Sequence, residues 1–235
     1  MLSPMPGPRF LRASVIIDYQ NVHLTARDVF APGQPAHVAV IDPMSFARRA
    51  VSERNSKQRE GYPHARCSRV VVYRGLPHAD YDPAQNAICM AQAKEWRASG
   101  AFVELRDLKY SFQRGADHRP VQDINGKKIP NGPGKEKGID VLCALACVRE
   151  ARRPDVDLVI LASRDTDLVP ALDEVFDMSI ADPGNCAKIE TATWYLKGGR
   201  MFGSLRPTGS RKIWNTNLDQ SCFEASLDRR DYRSG

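Results

Sequence analysis

The 235 residues are 42% hydrophobic and 26% charged with a net charge of +6, ordinary values for a globular chain that buries one sizeable core with elaborations. No apolar run approaches the roughly 18–20 residues that span a bilayer, and the proline-rich start, Met1 to Arg12, lacks the apolar core of a signal peptide. A cytoplasmic protein with no membrane partner is the expectation.

The elements alternate. Ser14 to Asp18 reads as a short strand, followed by a loop that is rich in Gly and Pro at 32–35 and by a helix from Pro43 to Glu53. Arg69 to Arg74 reads as a second strand and Pro83 to Ser99 as a helix closed by Gly100. Phe102 to Leu108 is a third strand. Residues 109–136 form an irregular excursion with Asn125-Gly126 as a hairpin turn. A helix from Ile139 to Arg152, a buried strand from Leu158 to Ala162, a helix from Leu168 to Phe176 and a last strand from Ile189 to Lys197 complete the pattern. Such alternation implies right-handed βαβ crossovers: an α/β fold, a three-layer α/β/α sandwich with a mainly parallel sheet. The domain is expected over 12–200, after a flexible 1–11 and before an extension, 201–235, that docks in part through Trp214, Leu218 and Phe223.

Four aspartates stand out. Asp18 closes the first strand, Asp140 opens a helix, and Asp165 and Asp167 follow the Leu158–Ala162 strand. All are delivered to one edge of a parallel sheet, the edge where such folds place ligands. Gathered carboxylates repel one another unless a cation neutralises them, and hard divalent ions take oxygen donors, so the set points to Mg²⁺ or Mn²⁺. Each acid also has a simpler reading. Asp18 and Asn21 suit a helix cap or a turn, and Asp140 in a first helical turn is stabilised by the macrodipole alone. Ser163-Arg164-Asp165-Thr166-Asp167 is the more specific run, since two acids and two hydroxyls directly after a buried strand are costly unless they bind something.

Between Arg106 and Lys137 eight Lys and Arg face four acids, a local excess of +4 that runs straight into the Asp140 segment. A basic stretch beside an acidic metal cluster suits a phosphodiester. Lys127, Lys128, Lys135, Lys137 and Arg164 are the candidate phosphate contacts. The six cysteines show no zinc spacing, and Cys143 and Cys147 read as buried reduced thiols. Gly134-Lys135-Glu136 lacks the Ser or Thr and the upstream glycine of a phosphate loop, and no Gly-x-Gly-x-x-Gly follows a strand. The five histidines form no ligand pattern, although His23 lies close to Asp18 in sequence.

At Ile17-Asp18-Tyr19-Gln20-Asn21, Lys137-Gly138-Ile139-Asp140-Val141 and Ser163-Arg164-Asp165-Thr166-Asp167-Leu168-Val169-Pro170 the chain resembles the NYN domain family, a branch of the PIN-like metal-dependent ribonucleases. The resemblance covers about residues 12–200. It implies strand order 3-2-1-4-5, hydrolysis of RNA with endonuclease action favoured, and one or two Mg²⁺ or Mn²⁺ ions held by Asp18, Asp140, Asp165 and Asp167 with Asn21 and Ser163 in support. Two features depart from the family: Arg164 stands where a glycine is frequent, and the 109–136 excursion is longer than the minimum. A catalytically silent RNA-binding or scaffold module of the same fold is the alternative, and a phosphatase or DNA nuclease at the same acids is a third reading. The sequence leaves a homo-oligomer or a protein partner open.

Overall fold

The computed structural model describes residues 10–198 and 203–232, so most of the expected flexible N-terminus lies outside the described residues. Strand β1 (Leu11–Asp18) runs directly into helix α1 (Tyr19–Phe30). The sequence reading expected a loop after Asp18; instead Asn21 sits in the first helical turn. Tyr19, Val22, Ala26 and Val29 form its buried stripe, a helical spacing with Asp18 as the cap.

Helix α2 (Pro43–Ser56) and helix α3 (Pro83–Ala98) each begin with an Asp cap followed by Pro, whose fixed φ suits a first turn and whose missing N–H costs nothing there. Between them lies β2 (Ala65–Leu76), twelve residues and longer than the apolar run alone implied. After β3 (Phe102–Asp107) and the excursion come α4 (Ile139–Ala151), β4 (Leu158–Ala162), a 3-10 turn at Thr166–Leu168, α5 (Val169–Ala181) and β5 (Lys188–Trp194). The chain closes with β6 (Asn215–Leu218) and α6 (Gln220–Ser226).

The strands form one six-stranded sheet in the order β3-β2-β1-β4-β5-β6, every neighbouring pair parallel. The fold is therefore parallel α/β as expected, with the order of five strands extended by β6 at the edge beside β5. The C-terminal segment is thus part of the sheet: Leu218 and Phe223 are buried, whereas Trp214 stays 42% exposed.

Alternate strand residues feed two hydrophobic clusters, which puts helices on both faces of the sheet. Val15, Ile17, Val70 and Val72 pack with α1, α2 and α3 residues such as Phe46 and Trp96. Ile16, Val71, Tyr73 and Leu161 pack with Cys143, Cys147 and Leu172 of α4 and α5. Two buried charges are compensated. Arg54 donates two hydrogen bonds to the Glu190 carboxylate, at 2.8 and 2.9 Å, and Glu150, fully buried, accepts from Ser14 Oγ and pairs with Arg69. No helix among the described residues is long and apolar enough to cross a membrane.

Connections from β1 lead through β2 to β3 on one side, then return to β4 on the other side of β1. This reversal opens a crevice beyond the carboxyl ends of β1 and β4. The register sets Ile17 opposite Ala162, so Asp18 and Ser163 leave the sheet side by side.

Candidate functional site

Asp18 does two things at once. Its Oδ1 accepts the Asn21 N–H at 3.4 Å, so the capping role is realised, and its Oδ2 accepts the Ser163 Oγ–H at 2.8 Å across the crevice. Ser163 Oγ in turn accepts the Asp165 N–H at 3.1 Å, while Asn21 Oδ1 accepts the Arg164 N–H at 3.0 Å. Asn21 and Ser163 therefore stitch the exit of β1 to the exit of β4.

Asp140 enters from the first turn of α4. That helix starts at Gly138, which adopts φ +79° with the Arg106 guanidinium 3.4 Å from where a Cβ would stand. A side chain there would meet both backbone strain and a neighbour, which explains the glycine.

A fourth carboxylate was not singled out from the sequence. Glu136, at the end of the excursion, places Oε1 2.6 Å from the Gly75 N–H of β2. With its amide nitrogen turned toward Glu136, Gln20 donates to both carboxylate oxygens at 2.7 and 3.0 Å. The sequence signal was slight: Glu136 appeared only as one acid within a basic stretch, and the path of the excursion decides where it goes.

Asp18, Glu136, Asp140 and Asp165 line one cavity of about 300 Å³ together with Lys137, Gly138 and Ile139. Burial pushes the Asp18 carboxyl up to about 6, against the Ser163 and Asn21 hydrogen bonds that pull it down and with repulsion from Asp165 and Asp140 added. Glu136 is pushed up to about 7, again by burial first, with the Gly75 N–H opposing and the Asp18 charge adding. The cavity floor thus resists carrying its full negative charge. Cys143 beside it is held well above the ordinary thiol range by burial and Cys147 is pushed up to about 12, so both are protonated packing groups at neutral pH.

The remaining candidates lie apart from this cavity. Asp167 is exposed in the 3-10 turn and donates its N–H to Asp165 Oδ1 at 3.0 Å. The Arg164 side chain faces a separate cleft walled by Asn21, Val22, Phe46 and Trp194. His23 gives its Nε2 to Ala36 O at 2.7 Å, and burial lowers its pKa to about 4, so it is a neutral packing group.

Of the lysines only Lys137 lines the cavity. The excursion closes on itself: Gln113 N–H donates to Ile129 O, Ile129 N–H to Val121 O and Val121 N–H to Gln113 O, each at 2.9 Å. Lys127 pairs with Asp80 at 2.8 Å, Lys128 lies 5.5 Å from the Phe112 ring centre, and Lys135 exchanges backbone hydrogen bonds with Lys109.

The donor set suits a hard divalent ion in kind, since every side chain offered is an oxygen acceptor. It is not a closed cage: among the described residues no three His, Cys, Asp or Glu side chains stand in ready ligating geometry. Mg²⁺ is bound elsewhere through one or two carboxylates, several waters and substrate phosphate oxygens, and separated carboxylates around a shared cavity fit that mode. Comparison with protein-family models, with curated proteins and with solved structures gives no match.

Proposed function

We propose that this protein is a metal-dependent ribonuclease, acting as an endonuclease on RNA. The observation that supports it is the arrival of Asp18, Asp140 and Asp165 from three separate segments, with Glu136 from a fourth, at one cavity in the switch-point crevice. A cap, a turn or a first-turn acid accounts for each residue alone. None of these accounts for four carboxylates facing one space, with the Asp18 and Glu136 carboxyls pushed up by burial there.

Asp18, Asp140, Asp165 and Glu136 would hold Mg²⁺ or Mn²⁺, directly or through water, and Asp167 reaches them only through Asp165. When bound, the ion supplies Lewis-acid activation of the scissile phosphate and lowers the pKa of an attacking water. The chain's own part is orientation. Ser163 fixes the Asp18 carboxylate by donating to Oδ2, Gly75 fixes Glu136, and Lys137 brings a cation to the rim for a phosphate oxygen. The basic excursion, with Lys127, Lys128 and Lys135, attracts the backbone from farther out. The six free cysteines suit a reducing compartment, and we assign the protein to the cytoplasm on that ground.

The absence of a ready ligand triad among the described residues favours a second reading, a silent RNA-binding module of the same fold. Purified protein incubated with labelled single-stranded and structured RNA separates the two. Cleavage with Mn²⁺ that EDTA stops, and that Asp140→Asn loses, supports the nuclease. RNA binding with no cleavage in any divalent ion supports the module.

A further inference from the structure

On the face of the sheet that carries α4 and α5, the two helices pack mainly on strands other than the β3 edge among the described residues. Helix α4 packs on β1, β2 and β4, and α5 packs on β5. Strand alternation turns Val103 into the opposite core, so Phe102, Glu104 and Arg106 form a row on the α4 side. That row is open: Phe102 is 46% exposed, although it is a large apolar ring, and Arg106 is exposed.

The wall of this strip is the flank of α4. Arg149 donates to Tyr73 Oη of β2 at 2.9 Å, which turns that flank toward β2 and β3, and Leu145, one turn earlier on the same flank, is 58% exposed. Arg69, the residue before Val70 on β2, holds its guanidinium 5.8 Å from the Phe102 ring centre. Arg69, Arg149 and Arg153 lean on the buried carboxylate of Glu150, at 3.0, 3.9 and 3.8 Å, so one carboxylate serves three cations there. Arg106 stands at the other end against Gly138, which lines the carboxylate cavity. From Phe102 to Arg106 the strip runs about 13 Å, four residues of strand at about 3.3 Å each.

We propose that this strip is the track for single-stranded nucleic acid entering the carboxylate cavity, a proposal that rests on the nuclease reading for its direction but not for its binding. An exposed aromatic ring between guanidinium groups is the combination that holds an unpaired strand, with bases stacking on the ring and phosphates meeting the cations. Duplex nucleic acid offers no free base to Phe102 and gains only the charge contacts.

The test uses the full chain in EDTA, where no cleavage intervenes, with a short fluorescent oligouridine and a duplex of equal length. Phe102→Ala should weaken single-strand binding about tenfold, the lower part of the range for loss of one stacked base, and leave duplex binding unchanged. Phe102→Trp should restore it. Arg106→Gln should lower the slope of log affinity against log salt by about 0.7, one phosphate contact of a single strand. Equal oligouridine affinity for wild type and Phe102→Ala, or no binding by wild type, overturns the track. So does a wild-type dimer that Phe102→Ala dissociates in sedimentation, because the strip is then an interface between copies. If Phe102-dependent binding is present but Mn²⁺ produces no cleavage, the track stands and the nuclease reading falls.

Discussion

Removing the charge of Glu136 should stabilise the metal-free protein at pH 8 and leave it unchanged near pH 4.5. In the folded protein Glu136 is pushed up to about 7 from an ordinary 4.5, chiefly by burial. Over that window the folded state binds more protons than the unfolded chain, so stability falls as pH rises. The penalty is absent below pH 4.5 and complete above about 7. The difference of 7 − 4.5 = 2.5 in pKa corresponds to about 3 kcal/mol at 1.36 kcal/mol per pKa unit. Part of this comes from the Asp18 charge, itself pushed up to about 6, so the two acids titrate together and their effects do not add. Glu136→Gln keeps an oxygen for the Gly75 N–H while deleting the charge. For a chain of this size about 3 kcal/mol is roughly 6–12 °C in melting temperature. Melting followed by circular dichroism in EDTA should show that gain at pH 8 and its disappearance toward pH 4.5, and Mn²⁺ should narrow the gap by stabilising wild type more. A melting-temperature difference that is the same at both pH values would refute the account of the cavity as a repelling carboxylate cluster.

Other outcomes can be stated briefly. Mn²⁺ should raise the melting temperature of wild type more than that of Asp165→Asn, and Asp18→Asn should abolish RNA cleavage with an intact circular dichroism spectrum, whereas Asp167→Asn, outside the cavity, should retain measurable turnover in the same assay. Changing Lys127, Lys128 and Lys135 together to Ala should weaken RNA binding at all sequences and lower the salt slope by roughly 0.7 per lost contact, read by filter binding; an unchanged slope would make the excursion a solvated surface element. Gly138→Ala should cost about 1–3 kcal/mol in urea unfolding, because φ +79° is strained for a residue with a Cβ. Arg54→Met should cost about 3–5 kcal/mol by the same measurement, since it strands the Glu190 carboxylate, whose side chain is only 12% exposed.

Sequence alone determined the repeating strand–helix order, because buried parallel strands are continuous apolar runs and helix starts carry Asp-Pro caps, both local signals. It also marked Asp18, Asp140 and Asp165, whose motifs stand at strand exits or a helix start, and any parallel sheet sends such positions to one edge. What it read less well depended on partners far along the chain. Helix α1 is not legible in the sequence because Asp18-x-x-Asn21 reads equally as a turn, and only packing of Tyr19, Val22 and Ala26 into the core decides for the helix. Strand β6 is four residues long and acquires its identity from β5 beside it. Glu136 joins the cavity because the excursion folds back so that its carboxylate meets the Gly75 N–H, while Asp167, two residues from Asp165, is turned outward by the 3-10 turn. The open row of Phe102 and Arg106 was likewise invisible, because exposure of a strand face depends on which helices fail to cover it. Local propensity is written in neighbouring residues; convergence of side chains is a long-range property, set by how the elements pack.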